Sequence, residues 1–283
     1  MSKFVDKISS YGSITDFSDV SGAMPNAKVY DGSTVWDRVM NYQCMEWTEP
    51  RTILTMFKHI GTQLLVPTVY STRTRSTNVL PPPGGVNGSN GSGEEVASVP
   101  IAGRTYYGMR DSIFGVTAGV SNVVRFQNTM VSAKWNTIAF TKDGSGSPAA
   151  GMAGYLEGAR IAEIQSTGAA GQLVNSIIPL DDWAWIGRRW NPFGSGLPEE
   201  DIAASNNIFK GEIAIFTIYK GILSNNDLIR FKIDPFAFNN SLDSADCHLR
   251  IDFNRTAGQD LIDTGSGAYT IVSTGAKNFT TIS

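Results

Sequence analysis

The segment Lys210-Gly-Glu-Ile-Ala-Ile-Phe-Thr-Ile-Tyr-Lys220 is almost continuously apolar from Ile213 to Tyr219, at odd and even positions alike. Neighbouring side chains of a β-strand point to opposite faces. A run that is apolar on both alternations therefore has to be covered from both sides. The chain must build layers, with this strand inside them.

Other stretches are rich in β-branched and aromatic residues and short enough for strands: Ile101 to Met109, Ile113 to Ala118, Val123 to Phe126, Trp135 to Thr141, Gly154 to Ile161 and Trp183 to Gly187. Earlier, TILTMFKH and QLLVPTVY lie between Arg51 and Tyr70 with Gly61 between them, which predicts two paired strands around a turn. Gly158 suits a tight hairpin turn between Leu156 and Ile161. Gly, Ser, Thr and Asn supply most of the uncharged polar residues, a vocabulary of tight turns. The expected class is all-β, with one principal core in 283 residues. One short helix is expected after Ser224, which can cap it, with Asp227 three residues on and Asp234-Pro235 as its end. No internal repeat of about 20 to 50 residues is visible, which disfavours solenoids and propellers.

Residues 1–43 mix Ser, Asp and Gly with isolated apolar positions and show no sustained period; they read as an N-terminal arm, with residues 44–283 as the body. Pro81 to Glu95, PPPGGVNGSNGSGEE, reads as a long Gly/Pro-rich loop. A hydrophobic share of 41% permits a sizeable core, whereas 17% charged residues and a net charge of −3 argue against attraction to polyanions, so nucleic acid is not an expected partner. Cys44 and Cys247 cannot make a dense disulfide framework; a single bridge or two buried thiols both fit. MSKFVDKISSYGS has no apolar run of the signal-peptide kind, and no stretch approaches 18 apolar residues, so conventional secretion and membrane anchoring are not expected.

Between Trp135 and Leu228, four pieces recur in a familiar order: Trp135-Asn-Thr-Ile-Ala-Phe-Thr141, then Gly154-Tyr-Leu-Glu-Gly158, then Trp185-Ile-Gly-Arg188, and Phe209-Lys-Gly-Glu-Ile-Ala-Ile-Phe-Thr-Ile-Tyr219 with Ile222-Leu-Ser224. Together they cover roughly a third of the chain and resemble the concanavalin A-like lectin and laminin G-like superfamily. The resemblance implies a jelly-roll β-sandwich, here with an N-terminal arm and one short helix. His248-Leu-Arg-Ile-Asp-Phe-Asn254, with Ala257-Gly258 and Asp263-Thr-Gly265, looks like the opening strand and turn of such a domain displaced to the C-terminus. It implies either a permuted strand order or a partial second sheet.

Catalytic constellations are not found. Glycanases of the wider fold place acids at alternate strand positions, but Glu199, Glu200 and Asp201 are followed by Ile202 and Ala203 in a loop-like setting. His59 and His248 are the only imidazoles and read as packing or surface residues, with no Ser, His and acid set. The glycines of 84–93 do not join a strand to a helix, so no phosphate loop and no nucleotide cofactor are implied. Calcium sits at one rim of many laminin G-like domains, and Asp111 and Asp143 are donors by loop position; no continuous calcium loop exists, and no metal is assigned. Trp183, Trp185 and Trp190 stand close to Arg188 and Arg189, a group that can stack on sugar rings and donate to hydroxyls. The same rings can instead fill the core or an intersubunit contact.

These readings converge on a non-catalytic structural or adhesion protein. The expected setting is a bacteriophage virion, as a tail, fibre or capsid-decoration component, with other virion subunits and copies of itself as partners and cell-surface polysaccharide as a ligand. A freestanding carbohydrate-binding module is the alternative, and a glycan hydrolase of the same fold the third.

Overall fold

In a computed structural model, the structure describes residues 25–43, 45, 49–60, 68–75, 91–101, 104–114, 120–126, 133–144, 151–160, 162–166, 183–188 and 208–282. Two antiparallel sheets face each other. The first runs β10 (Ala159–Arg160), β9 (Met152–Leu156), β8 (Asn136–Lys142), β3 (Arg51–His59), β13 (Lys210–Lys220), β1 (Asn26–Asp31) and β17 (Phe279–Thr281). β14 (Cys247–Asp252) pairs with the second half of β13, on the edge whose first half is taken by β1, and carries β15 (Ile262–Asp263). The second sheet runs β11 (Ala162–Ser166), β7 (Val120–Phe126), β6 (Arg104–Phe114), β5 (Gly91–Ile101), β4 (Thr68–Arg75), β12 (Trp183–Ile186), β2 (Trp36–Met40) and β16 (Thr270–Thr274).

β13 sits where its sequence demands. Ile213, Phe216 and Ile218 face the interior with Ile53, Phe57, Ile138 and Phe140 of the first sheet and Val39, Tyr70, Val96, Ala184, Ile186 and Ile271 of the second. A bulge between Ile213 and Ile215 turns both Ala214 and Ile215 outward before the alternation resumes. That outer face is covered by two helices, α1 (Asn225–Ile233) and α2 (Pro235–Ser241), through Leu228, Phe231 and Phe238. Each such fully buried side chain stabilises by about 1.5–3 kcal/mol.

Ser224 caps α1 as its sequence suggests, accepting from Asp227 N while the Asp227 carboxylate accepts from Ser224 N at 3.1 Å. The expectation of a single helix is corrected, because Asp234 closes α1 and also caps α2, accepting from Ala237 N at 3.0 Å, and Pro235 opens α2 where its missing N–H is not needed. The hairpin turn falls at Glu157 (φ 51) and Gly158 (φ 74). Glu157 tolerates it because Thr137 receives its N–H at 3.0 Å and donates to its carboxylate at 2.8 Å.

Four other expectations are corrected. The arm ends before Asn26: β1 and β2 are strands of the sandwich, with Ala27, Lys28, Tyr30, Asp37 and Val39 buried, while residues 1–24 lie outside the described residues. β3 and β4 belong to opposite sheets and do not pair, and residues 61–67 between them lie outside the described residues. Gly91–Glu95 is strand, paired with both β4 and β6, so β4 and β5 are neighbours in one sheet and not parts of two domains, while residues 76–90 lie outside the described residues. The C-terminal segment does not start a further sheet: β14 and β17 complete the first sheet and β16 completes the second, against β1 and β2.

β1 passes from the first sheet to β2 of the second through a turn organised by Asp31. Its carboxylate accepts from the backbone N–H of Ser33 (2.8 Å), Thr34 (2.8 Å) and Val35 (3.0 Å) and from both hydroxyls. Partial burial alone would raise this carboxyl, but the Thr34 hydroxyl and the three N–H bonds outweigh it and hold the group far below its ordinary 3.8. A carboxyl depressed in the folded state stabilises above its unfolded pKa, and that contribution is lost as pH falls from there through the folded value. Stability measured by urea titration should therefore fall on acidification below about pH 4, with a shallower fall in Asp31→Asn, which keeps an acceptor but does not titrate.

Behind this turn lies a buried polar network that ties the two sheets together. Lys28 on β1 contacts the Asp37 carboxylate on β2, both side chains 0% exposed. Tyr30 donates to Asp37 Oδ2 at 2.7 Å, Ser273 on β16 donates to Oδ1 at 2.5 Å, and Lys28 Nζ donates to Ser273 Oγ at 2.9 Å. Burying these charges is tolerable because each is paired and hydrogen-bonded.

Candidate functional site

Helices pack on the outer face of the first sheet; on the second, Ser71 of β4 and Trp185 of β12 are buried, so among the described residues the accessible part of its outer face is the edge formed by β2 and β16. Alternation along β2 sends Asp37 and Val39 inward and leaves Trp36, Arg38 and Met40, each partly exposed, on the outside. On β16, Ile271 points inward and Val272, opposite Arg38, is 47% exposed. This half of the face is open.

β12 lies between β2 and β4, placing Trp185 opposite Arg38 on one side and Ser71 on the other. Trp185 is only 5% exposed, so its ring is a packing element beneath the surface and does not itself offer a stacking face to a sugar. The neighbouring Ala184 and Ile186 are core residues of the sandwich. Trp183 begins β12 opposite Arg73. Arg189 and Trp190 lie outside the described residues, as do Glu199, Glu200 and Asp201.

Among the described residues, Arg188 of the sequence-derived group meets an aromatic partner, Trp36: the guanidinium lies 4.7 Å from the ring centroid. Both side chains are partly exposed. The backbone here is tightly placed: Gly187 N donates to Val69 O at 2.8 Å, Phe209 N donates to Gly187 O at 2.8 Å, and Ser71 Oγ donates to Arg188 O at 2.8 Å. Gly187 has φ 77, and a Cβ there would lie 2.4 Å from the Tyr30 ring, so only glycine lets the chain turn outward to present Arg188. Burial lowers the Arg188 pKa from its ordinary value, yet a guanidinium remains charged at neutral pH.

A guanidinium stacks on an indole by its face and carries its N–H donors in the plane of the group, a fork whose geometry matches a carboxylate or neighbouring hydroxyls. The stacking contributes about 0.5–1 kcal/mol at an exposed site. Trp36 escaped the sequence reading because it falls in the stretch taken as arm; the alternation Trp36-Asp-Arg-Val-Met40 is the signal that marks it.

The remaining chemical candidates are packing groups. His59 is buried on β3, and burial pushes its imidazole down. His248 is also pushed down by burial and sits between the Tyr42 and Tyr269 rings, its Nε2 2.6 Å from Gln43 O. Cys247 is a free, buried thiol; Cys44 lies outside the described residues. Asp111 lies within β6 and not in the loop expected of a rim calcium donor, while Asp143 is exposed just after β8. Among the described residues, no three His, Cys, Asp or Glu side chains gather as a metal site, and no helix is long and apolar enough to cross a membrane.

No protein-family model matches the chain, and no curated protein matches it. Solved structures do. A Bacteroides ovatus protein provisionally described as carbohydrate binding superposes with a TM-score of 0.52 at 13% identity, over 92% of this chain, which spans 60% of that protein's length. The heptameric SAP-like pentraxin of Limulus polyphemus gives 0.46 at 12% identity, over 89% of this chain and 95% of that one. Domains LG4-5 of the mouse laminin alpha1 chain give 0.41 at 10% identity, over 77% of this chain and 48% of that one. The fold is an all-β sandwich of two antiparallel sheets, shared with the Bacteroides ovatus protein.

Proposed function

We propose that the chain is a non-catalytic glycan-binding and adhesion protein whose ligand rests on the open half of the second sheet's outer face. The observation that carries this is the Arg188 guanidinium held over Trp36 on that face, with Arg38 two residues along β2. Two cationic groups beside an indole suit a sugar bearing a carboxylate or adjacent hydroxyls. The carbohydrate-binding description of the Bacteroides ovatus protein agrees with this reading.

The setting we propose is a bacteriophage virion, with the module as part of a tail, fibre or decoration protein that meets cell-surface polysaccharide. The composition supports it, with low charge and a polar surface drawn largely from Gly, Ser, Thr and Asn. Immobilised acidic and neutral polysaccharides, probed with the full chain, test the proposal. Retention on a polysaccharide with no release of reducing ends is expected; release of oligosaccharides would instead favour the hydrolase reading, and no retention on any glycan would overturn the site.

A further inference from the structure

The interior of the sandwich holds an amine and a carboxyl that the glycan reading does not use. Lys28 Nζ touches Asp37 Oδ1, with both side chains wholly buried. Their strands are consecutive yet lie in different sheets, and the turn between them is pinned by Asp31. The two groups are therefore held together before any reaction, which removes most of the entropic barrier to joining them.

A charged pair in a dry interior is costly. Proton transfer from the ammonium to the carboxylate yields a neutral amine beside a carboxylic acid, the reactants of an amide. Tyr30 OH donates to Asp37 Oδ2 at 2.7 Å, where negative charge would build in a tetrahedral intermediate. Burial and the neighbouring carboxylate push this phenol well up, so it stays a donor. Ser273 Oγ lies 2.9 Å from Nζ and 2.5 Å from Oδ1, between the atom that must lose a proton and the atom that must gain one.

We propose that Lys28 and Asp37 form an intramolecular isopeptide bond that joins the two sheets covalently. The Nζ lone pair attacks Cγ, forming the C–N bond and placing the charge on Oδ2 beside Tyr30. One Nζ proton passes through the Ser273 hydroxyl to Oδ1, which already carries the acid proton. The charge on Oδ2 re-forms the carbonyl, the Cγ–Oδ1 bond breaks, and Oδ1 leaves as water. No oxidant, metal or cofactor enters the balance. The product closes a short ring through the turn at 31–35, a clamp suited to a protein that bears load.

Mass spectrometry of the purified full chain tests this directly. The intact mass should lie about 18 Da below that of the sequence, the loss of one water. After denaturation and trypsin digestion, the peptide between Lys7 and Arg38 should stay uncut at Lys28, which separates the cross-link from an aspartate cyclised elsewhere. Asp37→Asn, which leaves no carboxylate to take the ammonium proton, should keep its full mass, as should Lys28→Met and Asp37→Ala. Full mass with complete cleavage after Lys28 in the folded parent would overturn the bond and leave the glycan reading untouched.

Discussion

Asp37→Ala is expected to destabilise the fold by about 3–5 kcal/mol, because it leaves the Lys28 ammonium buried without its counter-charge. The same change removes the acceptor of Tyr30 and of Ser273, so the buried Tyr30 hydroxyl loses its partner and Ser273 keeps only the bond it accepts from Lys28. Lys28→Met with Asp37→Leu should recover the part of the loss that comes from the uncompensated ammonium, since nothing charged then stays inside, but not the part owed to the covalent link. Urea denaturation of the two variants measures this. A single variant within about 1 kcal/mol of the parent would show that water reaches the network.

Gly211→Ala should cost at least about 4 kcal/mol and yield little soluble protein. A Cβ at Gly211 would stand 2.1 Å from Lys58 O and 2.9 Å from His59 Cα, at φ 153. These are backbone atoms of the paired strand, and β13 is held by β3 on one side and β1 on the other, so neither can retreat without breaking both ladders. The glycine of the Phe-Lys-Gly-Glu-Ile motif is thus required by close approach of two strands. Thermal unfolding of whatever soluble variant is recovered gives the readout, and a loss below about 1 kcal/mol would contradict the packing described.

How much of this was legible in the sequence follows from which side chains face inward. β13 declared itself because both of its faces are covered by apolar layers. The cap of α1 and the turn at Gly158 are local events between near neighbours, and both stand where the residues place them. β1 and β2 were hidden because their inward positions include Lys28 and Asp37, a charged pair that erases the apolar alternation a short strand shows. The start of β5 was hidden by its Gly, Ser and Glu composition, since pairing on both sides, not apolar content, makes it a strand. β3 and β4 were legible as strands but not as members of opposite sheets, because partner choice depends on contacts far away in the chain.

The candidate site divides the same way. Arg188 could be singled out beside the tryptophans of β12, but Trp36, the ring it meets, is some 150 positions away and joins it only through β2–β12 pairing. Trp185 looked like a ligand platform because period 2 indicates a face and says nothing of what covers that face.

The central claim rests on the Arg188–Trp36 pair, and calorimetric titration of the best-retained glycan tests it most directly. Arg188→Ala and Trp36→Ala should each weaken binding at least about tenfold, near 1.4 kcal/mol, while Ile229→Ala on exposed α1 should bind as the parent does. Equal affinity in all three variants would place the ligand elsewhere and contradict the account.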